Sequence, residues 1–481
     1  MSLLLTDRCI PRRRFLRYAS ALLGAGTVGL LAACGAAPAA PPAANSAATT
    51  VSSAVASATI TAGPAPTTAS AISAAAATAP GAGPVKLTFM AWAVDVKWLG
   101  GWDRSTAEFN KRTSDVQVTF QWSPISGWEQ KILTMISGGV APDVVNTFAS
   151  MFIDLIGKNT VIPIDSYTAA SKTVNLEDFF PLFRQSGVFL GKRYGLPFSG
   201  GGSFFYYNED MFQAAGVPLP TPDWTWQTFT DAAVKLTKRQ GATVTQWGGC
   251  RGDWQSWVLS AGGKLADSTA KHCLLDSAEA SAGLQHLQDL IFKQQAVPTN
   301  EALKKQDSNT MFQANTSAMG YTNSTLAQQM GDRMSFKWNA VRVPKGPVAQ
   351  LAGGGVNNAV IAAASKDKAA SYRFLEWITS TEELISRGLP EVTRQSQYDS
   401  PNLVNNLDPT FQGVGRTKAF VDVIVSGNGT AVTPPETPMW TQASGAIGKE
   451  LANLYDNAKT ASEVGKAIVQ QVDPILAQWQ N

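Results

Sequence analysis

"VKLTFMAWAVDVKWLGGWDRSTAEFNKRTSDVQVTFQW", Val85 to Trp122, changes its hydrophobic period twice within one short span. Val85, Leu87 and Phe89 alternate with polar residues, as do Val116, Val118, Phe120 and Trp122, and a period of two is that of a half-buried strand. Between them the pattern predicts a helix over Trp102 to Ser114. Strand, helix and strand in that order make the unit of a parallel sheet, so the chain reads as α/β. The same period places Trp122 on the buried face. Asp143-Val144-Val145 supplies a short third strand, which Asp143 opens in a structural role.

The helical period returns downstream. In "DWTWQTFTDAAVKLTKRQG", Phe229, Ala232, Ala233 and Leu236 fall at i, i+3, i+4 and i+7, with Thr225 as cap and Gly241 as the expected stop. Trp224 and Trp226 read as packing at the helix start. Ala370, Phe374, Trp377 and Ile378 form a further apolar stripe. From Thr437 onward another helix is expected, with Thr437 as N-cap, Pro438 in the first turn, and Ile447, Leu451 and Leu454 facing inward.

Composition narrows the function. The 481 residues are 44% hydrophobic, enough for more than one core. Of the net charge of +3, the first 33 residues contribute +4, from five arginines against Asp7, which leaves −1 from Cys34 onward. Nucleic-acid binding needs a clustered basic surface and has none here. His272 and His286 are the only histidines and neither has a partner at ligand spacing, which argues against a zinc centre and a histidine-based triad. No metal or cofactor is expected.

The N-terminus is an address. Arg12-Arg13-Arg14-Phe15-Leu16 precedes sixteen uncharged residues, Tyr18 to Ala33, too few for a comfortable membrane span. The basic stretch resembles a twin-arginine (Tat) export signal and also serves the Sec route. Leu31-Ala32-Ala33-Cys34-Gly35 resembles the lipobox of bacterial lipoproteins, in which cleavage leaves Cys34 carrying the lipid. Residues 1–33 are therefore expected to be an export signal. The 50 residues from Gly35 to Pro84 carry no charge and consist largely of Ala, Pro, Ser and Thr. Such a segment buries too little apolar surface to offset ordering entropy, and as a coil it spans about 40 Å. Residues 34–84 read as a lipidated cysteine and its tether.

"KILTMISGGVAPDVVNTFASMFIDLIGKNTVIPID" and "KRYGLPFSGGGSFFYYNEDMFQAAGVPLPTPDWTWQTFTDAAVKLTK" resemble the corresponding stretches of family 1 extracellular solute-binding proteins, the ABC-importer group that contains maltodextrin-binding protein. Ser317-Ala318-Met319, "VRVPKGP", Gly353-Gly354-Gly355, "SKDKAASYRFLEWITS" and "TPMWTQASGAIGKEL" follow in the family order. The resemblance covers Val85 to Gln480. It implies two α/β lobes of the periplasmic-binding-protein fold, joined by crossing strands, with solute held in the cleft and captured by hinge closure. By analogy, residues 85–203 and 356–400 form lobe 1, and 204–355 and 401–481 form lobe 2.

Sugars present apolar C–H faces and a rim of hydroxyls, so a sugar site needs flat aromatics and planar polar groups. All fourteen tryptophans lie beyond Pro84. The resemblance places Trp440 where the family stacks a tryptophan on sugar, although Trp440 also fits the apolar stripe of its helix. It places Trp254, with Asp253 and Arg251, where the second lobe faces the cleft. Trp92 and Asp95 follow the first strand at its C-terminal end, where open α/β sheets hold ligands. Ser199 and Gly202 belong to a glycine-rich crossing that allows hinge motion and close approach to ligand. Asn323, Asn357 and Arg394 complete the expected site. Thr147, Phe148, Ser150 and Thr325 depart from the residues of maltodextrin-binding relatives, which argues for a different solute. Cys250 and Cys273, 23 residues apart, can form a disulfide outside the cytoplasm or remain buried thiols.

The expected function is a monomeric, non-enzymatic receptor outside the cytoplasm, anchored by Cys34, that delivers a sugar or oligosaccharide to an ABC permease. The alternatives are the same fold binding a polyol or glycerol phosphate ester, and a secreted glycoside hydrolase using paired carboxylates.

Overall fold

The computed structural model describes residues 83–93, 96–323, 334–388, 391–407, 418–428, 431–433, 435 and 437–479. The export signal, Cys34, most of the tether, Asp95 and Thr325 lie outside these residues.

Strand β1 (Val85–Ala93) leads into a helix, Val96–Arg112, and returns as β2 (Val116–Pro124), paired in parallel with β1 from Val85 opposite Val116 to Ala93 opposite Pro124. The helix begins six residues earlier than the apolar spacing predicts. It carries Gly100 and Gly101 inside it, and a Cβ at Gly101 would lie 3.7 Å from the Arg387 side chain. Strand β3 (Val144–Thr147) lies on the other side of β1. Asp143 fastens it there, accepting from the Thr88 amide at 2.8 Å and from Ser365 Oγ at 2.7 Å.

A short hairpin, β4 (Val188–Phe189) and β5 (Lys192–Arg193), precedes the long strand β6 (Gly195–Asn208), buried along its whole length. A second hairpin, β7 (Lys238–Gln240) and β8 (Thr243–Gln246), turns at Gly241, whose φ is 61°. The preceding helix stops at Leu236, so Gly241 serves a β-turn rather than the expected helix end. At its start, Thr225 and Thr228 form a reciprocal capping box, and Phe229, Ala232, Ala233 and Leu236 are buried as their spacing predicts. Strands β9 (Met319–Asn323), β10 (Trp338–Arg342), β11 (Ala352–Ile361) and β12 (Ala431–Val432) complete an eight-stranded sheet of order β10-β6-β11-β3-β1-β2, with β9 on β6 and β12 on β11.

Two large cores form, and β6 and β11 run through both. The first gathers Phe89, Trp92, Trp102, Trp128, Leu196, Phe198, Val360 and Phe374. The second gathers Phe205, Tyr207, Phe229, Trp257, Leu284, Ala352 and the inward face of helices Trp440–Tyr455 and Ala461–Leu476. Each long strand thus lends one end to each core, the arrangement of a two-lobed α/β protein. At the C-terminal end the chain comes back, and the Trp479 ring lies 6.1 Å from Phe189 of the first core.

Trp122 departs from expectation. It is 42% exposed, because β2 is an edge strand and the cover over its apolar face runs out at its C-terminal end. Cys250 and Cys273 are both buried and unbonded, which removes the disulfide alternative.

Candidate functional site

Where β6 and β11 cross between the cores, Gly200 and Gly201 take φ values of 120° and 135°. A Cβ on Gly200 would stand 2.3 Å from the Gly355 carbonyl oxygen, so only glycine permits this pairing. Around the crossing opens a cavity of about 1220 Å³ of atom-free space, open solvent included. The crossing strands form its floor with Gly200, Gly201, Ser203, Gly353, Gly354, Gly355 and Asn357. Phe148 and Ala149, just past the C-terminal end of β3, form the wall on the first-core side. Asp253, Gln255, Tyr321, Asn323, Trp440, Thr441 and Ser444 form the rest.

Asp253 holds the polar wall together. It caps the helix Trp254–Ser260, accepting from the Ser256 amide at 2.7 Å and from Ser256 Oγ at 2.9 Å. Tyr321 donates its hydroxyl to the same carboxylate, and Ser256 Oγ also accepts from the Gly353 amide of the floor at 3.0 Å. Burial raises the Asp253 pKa against the lowering effect of the Ser256 bonds. On the floor, Asn357 donates to Ser199 Oγ at 2.9 Å, which fixes its carboxamide.

Residues 96–384, 289 of the 481, match the model of the family described as bacterial extracellular solute-binding protein. The chain belongs to this family. Among solved structures, the solute-binding protein is similar to the ABC substrate-binding protein Lmo0181 of Listeria monocytogenes, solved in complex with cycloalternan. The TM-score is 0.72 and the identity 20%, over 82% of this chain and 99% of that one. It is also similar to the GacH receptor of Streptomyces glaucescens, solved unliganded and with acarbose. Here the TM-score is 0.69 and the identity 20%, over 82% and 100% of the two chains. A binding protein of Brucella abortus is 23% identical over 285 residues, 56% of this chain; the chain spans 66% of that relative's length.

Of the residues singled out from sequence, the solute-binding protein brings Asp253, Asn323 and Asn357 to one cavity, and Trp440 lines it while remaining 4% exposed and packed in the second core with its helix's apolar stripe. Ser199 lies one layer beneath, fully buried and bonded to Asn357, and Gly202 pairs with Gly354 within the crossing. Four others face elsewhere. Trp92 is fully buried among Phe148, Phe198, Trp128 and Trp98, at ring distances of 4.4, 5.6, 5.9 and 6.2 Å, and has no face left for a ligand. Trp254 packs against the second core, half-buried at the first position of the helix that Asp253 caps. Arg251 lies over the Tyr455 ring at 4.4 Å and donates to Asn300, away from the cleft. Arg394 is buried over Phe179 at 4.0 Å and donates to the Thr379 carbonyl, and burial lowers its pKa to about 10.

Sequence reasoning missed Phe148, Gln255, Tyr321, Thr441 and Ser444. Two carried a signal. Tyr321 stands two residues before Asn323 in a strand and so shares its face. Phe148 follows a parallel strand at its C-terminal end, the same rule that singled out Trp92.

Proposed function

We propose that this solute-binding protein works outside the cytoplasm as the receptor of an ABC importer, capturing a sugar or oligosaccharide between residues 85–203 plus 356–400 and residues 204–355 plus 401–481 by hinge closure. The observation that carries the reading is the cavity at the glycine crossing, which sets Asp253, Asn323 and Asn357 beside Trp440 and Tyr321. Planar acceptors and donors meet aromatic surface there, as a polyhydroxylated ring requires. The ligands of the Listeria and Streptomyces neighbours, a cyclic oligosaccharide and acarbose, support the same class.

A glycoside hydrolase needs two carboxylates flanking the scissile bond, and Asp253 is the one carboxylate among the described residues lining this cavity. No lysine or arginine stands among them to pair with a phosphate ester, which favours a neutral sugar.

Thermal shift of the purified protein across a glycan panel tests the reading, since a ligand that binds the native state raises the melting temperature. A stabilising sugar recovered intact is the expected result, and turnover of that sugar would refute the receptor role. The lipid anchor has its own test: Cys34→Ser releases the protein into the soluble fraction with binding retained.

A further inference from the structure

A second cavity backs onto the first. It holds about 650 Å³ of atom-free space, open solvent included, and meets the cleft at Ala149 and Trp440, which line both. Its character is different. Phe152, Ile153, Leu182, Val188, Val356 and Pro435 form its apolar wall, with Gln185, Ser186, Asn358, Thr433 and Thr437 standing among them. The buried polar groups that reach it are engaged within the protein: Asn358 Oδ1 accepts from Ser186 Oγ at 3.4 Å, and Thr437 Oγ1 accepts from the Met439 amide at 3.3 Å. The cleft therefore offers hydrogen-bonding groups and the side cavity offers apolar surface, with one tryptophan bordering both.

We infer that the side cavity is a subsite for an apolar group attached to the captured sugar, so that the preferred solute is a glycoside with an alkyl or aryl aglycone. This rests on the sugar-capture reading. A free apolar molecule would need no opening onto a polar cleft. A bare oligosaccharide, in turn, would have to desolvate hydroxyls against the apolar part of the wall, where Phe152, Ile153, Leu182, Val188, Val356 and Pro435 cannot replace their hydrogen bonds. A group one glycosidic bond away from a ring in the cleft passes Ala149 and Trp440 directly into the apolar space.

Calorimetric titration of the full chain with methyl and hexyl α-maltoside tests this. Burying the hexyl chain is expected to tighten binding by about tenfold or more over the methyl compound. Leu182→Gln makes the wall polar and Val188→Trp fills the space; both residues are half-buried and lie outside the cleft. In both variants the advantage of the hexyl compound is expected to fall below about twofold while methyl maltoside binds as before. Equal affinity of the two maltosides in the unaltered protein, or an advantage that survives both variants, overturns the inference and leaves sugar capture standing. Should methyl maltoside fail to bind, saturation-transfer NMR with 1-hexanol decides the subsite separately: a signal lost in both variants supports it, and no signal from the unaltered protein overturns it.

Discussion

Behind Phe148, on the first-core side of the cleft, stands a stack of rings: Trp92 at 4.4 Å, then Trp98, Trp128 and Phe198 around it. Behind Tyr321, on the second-core side, stands a chain of hydrogen bonds from its hydroxyl through Asp253 and Ser256 to the Gly353 amide. One wall is stiff and has nothing to offer a hydroxyl. The other is oriented and polar, and it is tied to the floor. Under the proposed function, the contrast puts stability on the first side and recognition on the second.

The largest effect expected is on the first side. Trp92→Ala should cost about 3–5 kcal/mol of unfolding free energy in a denaturant titration, as for other buried tryptophans, with solute affinity changed far less. If affinity collapsed while stability held, the assignment would be reversed.

A half-buried titratable ring packs against the second core. His286 lies 4.3 Å from Trp226 and 5.1 Å from Trp257, and burial pushes its pKa down to about 4. Because the folded state resists the proton, stability falls as pH drops below about 6.5, the unfolded value, and the loss levels off below about 4. The full difference is on the order of 3 kcal/mol. Melting curves between pH 7 and 3.5 should show this slope, and His286→Phe should flatten it.

Asp253→Asn probes the polar wall. Asparagine caps helices as well as aspartate does, so the melting temperature should move by only a few degrees. Solute affinity should fall about tenfold, from the loss of a charge-assisted acceptor. Unchanged affinity would remove Asp253 from the recognition side. The smallest effect concerns the second core's thiols, which burial pushes up to about 12 at Cys250 and about 11 at Cys273. Neither should react with a disulfide reagent near neutral pH until the fold is opened by denaturant.

Local signals carried the fold. The alternation of Val85 to Phe89 and Val116 to Phe120 fixed the first parallel pair, and Thr225 with its apolar spacing fixed a helix start, because both depend on residues a few positions apart. The errors came where distant chain decides. Gly241 ends a helix or turns a hairpin according to whether the chain beyond it pairs back as a strand. Trp122 is buried or exposed according to whether a further element covers its strand. The lining of the cavity was legible where one residue per segment reaches the crossing, as for Asp253, Asn323, Asn357 and Trp440. It was not legible between immediate neighbours: Arg251, Asp253 and Trp254 are indistinguishable by position, yet Trp254 packs against the second core and Arg251 is held by Tyr455 and Asn300. Arg394 shows the remaining limit, since a carbonyl and a ring from elsewhere in the fold satisfy it internally.

The pairing of β6 with β11 also restricts how the molecule moves. Their ladder is antiparallel, runs from Gly354 opposite Gly202 to Val360 opposite Gly195, and is rooted in a core at each end. Under the proposed hinge closure, two ribbons clamped this way would resist sliding and yield to twist about a single fold line. The side-chain-free stretch at Gly200, Gly201 and Gly353 to Gly355 is where that line would fall. The ladder already absorbs one extra residue, Phe198, between the pairings of Asn357 with Ser199 and of Asn358 with Pro197, so a further insertion would turn the side chains beyond it to the opposite face unless taken up as a second bulge.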